Sequence, residues 1–279
     1  MSRNKERLGN VQQRDTSPPP TTSQSEGFSF VLPTEFVELP SGGRYYHEEH
    51  PLYDVDEIEI KQMTAKEEDM LTSRTLLKKG VALDRVISSL IVDKRIDSDT
   101  LLVGDRNAVI IAARVSAYGN EYTTKVTCPQ CAEQQRYSFD LNSARVFAGD
   151  DASELKVVSN SDGTFGLELP RTKLNITFRL LTGKDEKRFI SNINKKQKIE
   201  KNITNQLSAI ISSVNGVSDK QTISYVINNM PSMDSRHLRS AYRLVAPNID
   251  LSQNFECEEC GFEQDMEVPL SADFFWPHQ

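Results

Sequence analysis

Hydrophobic residues are sparse in the first 27 positions of the chain and recur at regular spacing from Phe28 onward. The first stretch contains only Met1, Leu8 and Val11 as hydrophobic residues. A segment of this kind buries too little apolar surface to offset the conformational entropy that ordering would cost. We therefore predict that residues 1–27 are a disordered tail.

Short strands are predicted between Phe28 and Ile60. Small apolar clusters are separated there by Ser41-Gly42-Gly43, a sequence typical of a tight turn. After the turn, Val55 and Ile58 begin an alternation of apolar and charged residues, the pattern of a strand with one buried face.

Three helices follow the predicted strands. The capping-box spacing of Thr64 and Glu67 begins the first helix, and Gly80 ends it. The apolar spacing of residues 81–90 predicts the second. The third extends over Asp105–Tyr118 with the aspartate as its N-cap, and it is expected to be largely buried because few of its positions are polar.

The second half of the chain predicts a hairpin and more helices. A polar, turn-rich stretch over residues 149–163 precedes two strand-like runs, Phe165–Leu169 and Leu174–Leu181. Three helices are then predicted over residues 184–214, with a break near 197–202 left open, 220–230 and 232–246. The chain has no internal repeat of solenoid length.

Composition and charge exclude several classes of protein. The longest uninterrupted apolar run, Ala108–Ala113, is far shorter than the roughly 18 residues of a membrane span. No apolar segment of signal-peptide type follows the N-terminus, so we expect a reducing cytoplasm in which cysteines are thiols or metal ligands. The formal net charge of −7 is opposite to the charge of most nucleic-acid-binding proteins.

All four cysteines of the chain fall in two Cys-x-x-Cys units. Such a unit directs two sulfurs to one ion from a tight turn, and two units together supply the four thiolates that structural zinc prefers. Alternating residues flank both units like the arms of a hairpin, which is the pattern of a zinc ribbon. We therefore predict one structural Zn²⁺ per chain, bound by Cys128, Cys131, Cys257 and Cys260.

The two cysteine units lie unusually far apart, with 125 residues between Cys131 and Cys257. A compact zinc ribbon separates its units by about 15 to 20 residues. The strands and helices from Asn142 to Leu251 are therefore predicted to be an insertion into the ribbon, and the metal to join its two ends.

Other interpretations of the cysteines stay open. A thioredoxin-like redox pair would need a cysteine at a helix N-terminus in a βαβ pattern, which neither unit has. A catalytic zinc site usually contains His or carboxylate ligands and keeps one position open. Ordinary buried thiols are the remaining alternative.

Charge near the second unit argues against a nucleic-acid partner. Residues 250–279 contain eight acidic residues and neither Lys nor Arg, so a phosphate backbone would be repelled. The one basic cluster lacks interleaved aromatic residues and is interpreted as a solvated helix face, with a nucleic-acid or acidic partner left open. It consists of Lys195, Lys196, Lys198 and Lys201.

Catalytic motifs are not found. His47 and His50 have the spacing of a ligand pair but lie in a turn-like segment, so an exposed loop is the preferred interpretation. The Thr182-Gly-Lys-Asp185 sequence lacks the first glycine and the final Ser or Thr of a phosphate loop. The chain is therefore predicted not to be an enzyme and to bind no small-molecule substrate.

Three large aromatic residues are concentrated near the end of the chain, Phe274, Phe275 and Trp276. Exposed aromatic residues at a terminus often anchor into a partner, so these three are candidate partner-binding residues. Folding back over the protein's own core is the alternative.

Several segments together resemble the baseplate proteins of T4-type contractile-tailed bacteriophages. They are the Leu39-Pro40-Ser41 cluster within residues 30–43, residues 58–69, the segment Leu102-Val-Gly-Asp-Arg-Asn-Ala-Val-Ile110 and the two cysteine units. The resemblance covers the chain from about Phe28 to its C-terminus. It implies a non-enzymatic role in building the baseplate hub at the tail tip, with other hub or tape-measure proteins as partners.

The expectation is an α+β protein with a disordered N-terminal tail, short N-terminal strands and a helical unit, and a zinc-ribbon-like site of four cysteines interrupted by a long α/β insertion. Its parts are residues 1–27, 28–120, 121–141, 142–251 and 252–279. It would be located in the virion tail baseplate, or in the host cytoplasm during assembly. Two alternative functions are an assembly chaperone for the tape-measure protein that leaves before the virion is finished, and a zinc-ribbon regulator that binds nucleic acid.

Overall fold

The first strands of the protein form a two-stranded antiparallel sheet. Strand β1, Thr34–Glu38, pairs with β2, Glu57–Lys61, in the computed structural model, which describes residues 32–194, 202–269 and 272–275. The predicted alternation is present, since Val37 and Ile58 are buried and Glu57 is exposed. The predicted tail, residues 1–27, lies outside the described residues.

A serine divides the first predicted helix into two. Helix α1 is Ala65–Thr72 and α2 is Arg74–Lys79, so the prediction of one helix up to Gly80 is wrong at Ser73. The Ser73 backbone is extended and its hydroxyl accepts a hydrogen bond from the amide of Leu76. Serine competes with helical hydrogen bonds in this way, which ends one helix and caps the next.

The predicted capping box is present and also connects two helices. The Glu67 carboxylate accepts hydrogen bonds from the amide of Thr64 at 3.1 Å and from the hydroxyl of Ser89 at 2.6 Å, the latter on helix α3, Ala82–Leu90. Burial raises the pKa of the Glu67 carboxyl, but the hydrogen bonds from Ser89 and Thr64 outweigh it and lower the pKa to about 2. The side chain is fully buried, so its charge depends on these donors.

Asp105 is predicted to be the N-cap of the central helix, and this prediction is wrong. Helix α4 is Val103–Tyr118. Leu102 occupies the N-cap position, and Asp105 lies in the first turn with its side chain directed at the preceding loop. Its carboxylate accepts hydrogen bonds from the Ser41 amide at 2.9 Å, the Ser41 hydroxyl at 2.7 Å and the Tyr46 hydroxyl at 2.7 Å. Asp105 therefore connects α4 to the turn after β1.

The residues beside Asp105 connect α4 to the end of the insertion. A side chain at Gly104 would place its Cβ 2.1 Å from the carbonyl oxygen of Pro247, so only glycine allows this approach. The Asn107 amide donates to the side-chain oxygen of Asn248 at 3.0 Å.

Arg106 completes this four-residue segment of α4. Its guanidinium is buried and pairs with Asp84 of α3 at 2.6 Å and with Glu186 at 3.1 Å. Residues 104–107 therefore contact four separate parts of the chain. This short stretch of α4 joins the N-terminal strands and helices to the insertion.

The remaining elements form two hairpins that flank an α/β insertion, so the α+β class is confirmed. In chain order the remaining strands and helices are β3 Glu121–Thr127, β4 Gln134–Asp140, β5 Arg145–Phe147, β6 Val158–Ser159, β7 Thr164–Glu168, β8 Asn175–Arg179, α5 Gly183–Asn194, α6 Asn202–Ile210, β9 Ile211–Val214, α7 Lys220–Asn229, α8 Ser232–Val245, β10 Asn248–Asp250, β11 Ser252–Glu256 and β12 Glu263–Glu267. A 3₁₀ turn, Ala272–Phe275, follows.

The insertion contains a four-stranded antiparallel sheet in the order β6-β7-β8-β9. The predicted β7–β8 hairpin is present. The helix predicted up to residue 214 is wrong over its last turn, because Ile211–Val214 is strand β9. Ile211 and Val214 are buried and pair with β8, which offers these β-branched residues a sheet edge.

A single cluster of buried hydrophobic residues extends through the N-terminal strands, the hairpins and the insertion. Ile60 of the N-terminal strands, Phe255 of the hairpins and Phe178 of the insertion are all fully buried. The described residues from Pro33 onward accordingly form one compact unit. The five-part division of the chain stays a prediction. In the part of the chain that the structure describes, no helix is both long and apolar enough to cross a membrane.

Candidate metal centre

The first cysteine pair lies in the tight turn between β3 and β4. The amide of Cys128 donates to the carbonyl of Glu133 at 2.8 Å, and its carbonyl accepts from the amide of Ala132 at 2.9 Å. These two bonds close the turn and place Cys131 on its outer side. Ala132 has a φ of +61°, in the left-handed region that favours glycine.

The second cysteine pair lies in a matching turn between β11 and β12. The amide of Cys257 donates to the carbonyl of Phe262 and its carbonyl accepts from the amide of Gly261, both at 2.9 Å. Gly261 has a φ of +65° and takes the position that Ala132 occupies in the first turn. Two segments far apart in the chain therefore fold into the same turn and present their sulfurs alike.

The two turns bring all four sulfurs to one point. Every pair of Sγ atoms lies within 4.8 Å, with 3.8 Å between Cys128 and Cys260 and 3.7 Å between Cys131 and Cys257. A disulfide would need about 2.05 Å. A tetrahedral metal site with metal–sulfur bonds of about 2.3 Å has sulfur–sulfur edges of about 3.8 Å. The four cysteines could therefore hold one metal ion.

The pKa of Cys128 is lowered, whereas the pKa values of Cys131 and Cys260 are raised. Burial raises the pKa of Cys128, but amide hydrogen bonds and neighbouring thiols outweigh it and lower the pKa to about 7. An amide hydrogen bond lowers the pKa of Cys131, yet desolvation and the Cys128 sulfur raise it overall. For Cys260 an amide again lowers the pKa, but desolvation and the other sulfurs raise it to about 12. One thiolate forms readily and repels further negative charge, as expected for a cluster that a cation would complete.

Side chains from the first hairpin hold the second hairpin in place. The Gln135 amide donates to the carbonyl of Glu256 and its oxygen accepts from the amide of Glu258, both at 3.1 Å. The Tyr137 hydroxyl donates to the carbonyl of Asn254 at 3.0 Å. The sequence analysis did not identify Gln135 and Tyr137 as site residues. Their only sequence signal is that they occupy alternating positions of β4, on the face that contacts β11.

The two hairpins also share a buried aromatic core. The Tyr137 ring lies 5.0 Å from Phe139 and 5.2 Å from Phe255, between ring centroids. Cys128 and Cys257 are buried beside this core, whereas Cys131 and Cys260 are exposed. Packing and hydrogen bonds therefore align the hairpins in addition to any bound ion.

The C-terminal aromatic residues fold back onto the protein, which corrects the expectation of a partner anchor for two of them. Phe274 and Phe275 are only 3% and 6% exposed, and Phe274 packs edge-on against Tyr122. Arg114, itself buried, donates to the carbonyl of Phe274 at 2.6 Å. Trp276 lies outside the described residues, so its partner role stays a prediction.

Arg114 connects three chain segments without a carboxylate partner among the described residues. Besides Phe274, its guanidinium donates to the carbonyls of Gly119 at 2.8 Å and Glu121 at 3.2 Å. Burial lowers the pKa of the Arg114 guanidinium. This side chain therefore joins the end of α4, the start of β3 and the C-terminal turn.

The other residues considered from the sequence do not join the cysteines. His50 stacks on Tyr46 and bonds the Thr100 hydroxyl at 2.8 Å, and His47 is exposed in the same turn. The lysine cluster, Lys195, Lys196, Lys198 and Lys201, lies outside the described residues. Within residues 32–194, 202–269 and 272–275, the cysteines are the one group of three or more His, Cys, Asp or Glu side chains placed to share an ion.

Comparison with known protein families decides the class of the protein. A family model described as T4 bacteriophage base plate protein matches residues 33–276. The chain belongs to this family. As a baseplate protein it has a structural role, a place in the virion tail and other phage proteins as its contacts. Neither the curated proteins nor the solved structures that were compared with it gave a match.

Proposed function

We propose that this baseplate protein is a non-enzymatic structural or assembly component of the baseplate hub, where it binds other hub or tape-measure proteins. A single structural Zn²⁺ per chain, bound by Cys128, Cys131, Cys257 and Cys260, would stabilise it. The match of the family model over residues 33–276 carries the proposal of a baseplate role.

The chemistry of the donor set supports zinc. Four thiolates at tetrahedral spacing suit Zn²⁺, which has no geometric preference from its d electrons and favours sulfur ligands. Four protein ligands also fill the coordination shell, so such an ion would have no open position for a substrate. The site is therefore consistent with stabilisation of the fold.

The surface of the second cysteine turn supports a protein partner over nucleic acid. Six acidic residues of β11, β12 and the turn between them are exposed, namely Glu256, Glu258, Glu259, Glu263, Asp265 and Glu267. Negative charge of this density repels a phosphate backbone and favours a basic protein surface.

Mass spectrometry of purified virions tests the proposal. We expect the protein at a constant ratio to other baseplate proteins, with a capsid protein as positive control and a non-structural phage protein as negative control. Presence in tail-assembly intermediates but not in virions would identify the assembly chaperone instead. Absence from both fractions would refute a baseplate role.

A further inference from the structure

Strand β1 has one unpaired edge. The amide of Leu39 donates to Asp56 and the carbonyl of Pro33 accepts from Gln62, so odd-numbered residues of β1 direct their backbone groups at β2. In an antiparallel pair the intervening residues direct theirs away from the partner strand. The backbone N–H and C=O groups of Thr34, Phe36 and Glu38 therefore point outward, and no described residue pairs with them.

An apolar groove runs beside this unpaired edge. The groove has a volume of about 270 Å³ and is lined by Ala108, Ile111 and Val115 of α4. Leu141 and Ile249 line it as well. A strand added to the edge of β1 would direct every second side chain into this groove.

Two side chains of β1 are unusual for a free edge. Phe36 is 67% exposed, a large aromatic ring with no cover among the described residues. Glu35 lines the groove, and its Oε1 is buried with no hydrogen-bond partner among the described residues. A buried carboxylate oxygen without a donor is costly, and a Lys or Arg from outside would satisfy it.

We propose that the outer edge of β1 binds an extended segment of another tail protein as an added antiparallel or parallel strand, with a Lys or Arg side chain that pairs with Glu35. Backbone hydrogen bonds to Thr34, Phe36 and Glu38 give affinity, and apolar side chains in the groove give specificity. The acidic residues Glu35 and Glu38 favour a basic segment by charge complementarity.

The proposal rests on the baseplate role, and two measurements keep the two apart. The first is amide hydrogen exchange of the purified full-length protein, followed residue by residue. We expect the amides of Thr34, Phe36 and Glu38 to exchange fast and those of Glu35 and Val37 to be protected by pairing with β2. Protection of all five would mean that residues 1–31 or a second copy of the chain already covers the edge, which would overturn the proposal.

The second measurement is incorporation of variants into baseplates, quantified by mass spectrometry of particles. Phe36→Pro removes an outward N–H that β2 does not use, whereas Phe36→Ala removes only the ring. Glu35→Gln removes the charge at the groove, and Glu57→Gln is its matched control, because Glu57 is an exposed glutamate on the neighbouring strand β2. We expect at least a tenfold loss for Phe36→Pro, about tenfold for Glu35→Gln, a smaller loss for Phe36→Ala and no change for Glu57→Gln.

Each result has a defined meaning. Normal incorporation of both Phe36→Pro and Glu35→Gln would overturn the added strand while leaving the baseplate role intact. Absence of the wild-type protein from baseplates would instead refute the proposed function. Thermal melting of every variant separates misfolding from lost binding, and Glu35→Gln decides the question should Phe36→Pro fail to fold.

Discussion

Removal of one exposed cysteine tests whether the metal holds the two hairpins together. Cys131→Ala is the informative change, because Cys131 is exposed and its truncation costs little packing. Cys128 and Cys257 are buried, so their variants would mix lost packing with lost metal. Gln130→Ala is the matched control, since this exposed side chain lies in the same turn and its backbone amide, which donates to Cys128, is retained.

The expected loss of stability on metal removal follows from the zinc affinity of structural sites. Structural zinc sites have apparent binding free energies of roughly 10 to 16 kcal/mol at pH 7. With about 1 µM free zinc, linkage converts this range into about 2 to 8 kcal/mol of added stability. For a unit of this size 1 kcal/mol corresponds to roughly 2 to 4 °C, so even the low end lowers the melting temperature by at least about 4 °C.

Thermal melting with and without a high-affinity zinc chelator provides the assay, and elemental analysis gives the zinc content. The wild type and Gln130→Ala should contain one zinc per chain and lose at least about 4 °C on chelation. Cys131→Ala should melt lower, and the chelator should lower it little further. Wild-type protein with well under one zinc per chain, or an unchanged melting temperature after chelation, would refute the reasoning.

Four further substitutions test the cysteine turns, Arg114 and Glu67 by urea unfolding. Ala132→Gly should stabilise the metal-loaded protein by about 1 kcal/mol and Gly261→Ala should destabilise it by a similar amount, because both positions are left-handed; shifts of the same sign would contradict this. Arg114→Lys should cost about 2 to 4 kcal/mol, since one ammonium cannot reach three carbonyls, and a loss under about 0.5 kcal/mol would contradict it. The folded pKa of Glu67, about 2, lies below its unfolded value, so its contribution is full above about pH 4.5 and is lost as the pH falls toward 2. Between pH 7 and pH 3, with chelator present throughout, Glu67→Gln should lose about 2 kcal/mol less stability than the wild type; equal losses would contradict the assignment.

Local signals in the sequence predicted most of the elements. The capping box at Thr64, the turn before β7 and the pairing of the cysteines each depend on residues close together in the chain. The cysteine spacing predicted a shared site, although it could not give the side-chain bonds of Gln135 and Tyr137 that align the hairpins.

Non-local contacts account for the errors. Asp105 has the residue type and place of a helix cap, but its partner Ser41 lies 64 residues earlier and no local pattern indicates it. Ile211–Val214 continues an apolar helical spacing, yet a free edge of β8 makes it a strand. From the sequence, Phe274 and Phe275 are candidate exposed residues. In the structure Phe274 packs against Tyr122 and accepts a hydrogen bond from Arg114, and both partners lie far from it in the chain.

The long separation of the two cysteine turns has a consequence during synthesis. With 125 residues between Cys131 and Cys257, a ribosome moving at about 5 to 20 residues per second completes the second turn roughly 6 to 25 seconds after the first. Until then the nascent chain offers an ion only two sulfurs and holds it weakly. Tight binding of the proposed ion would therefore mark a chain that has been translated past Cys260, and prematurely terminated products would lack it.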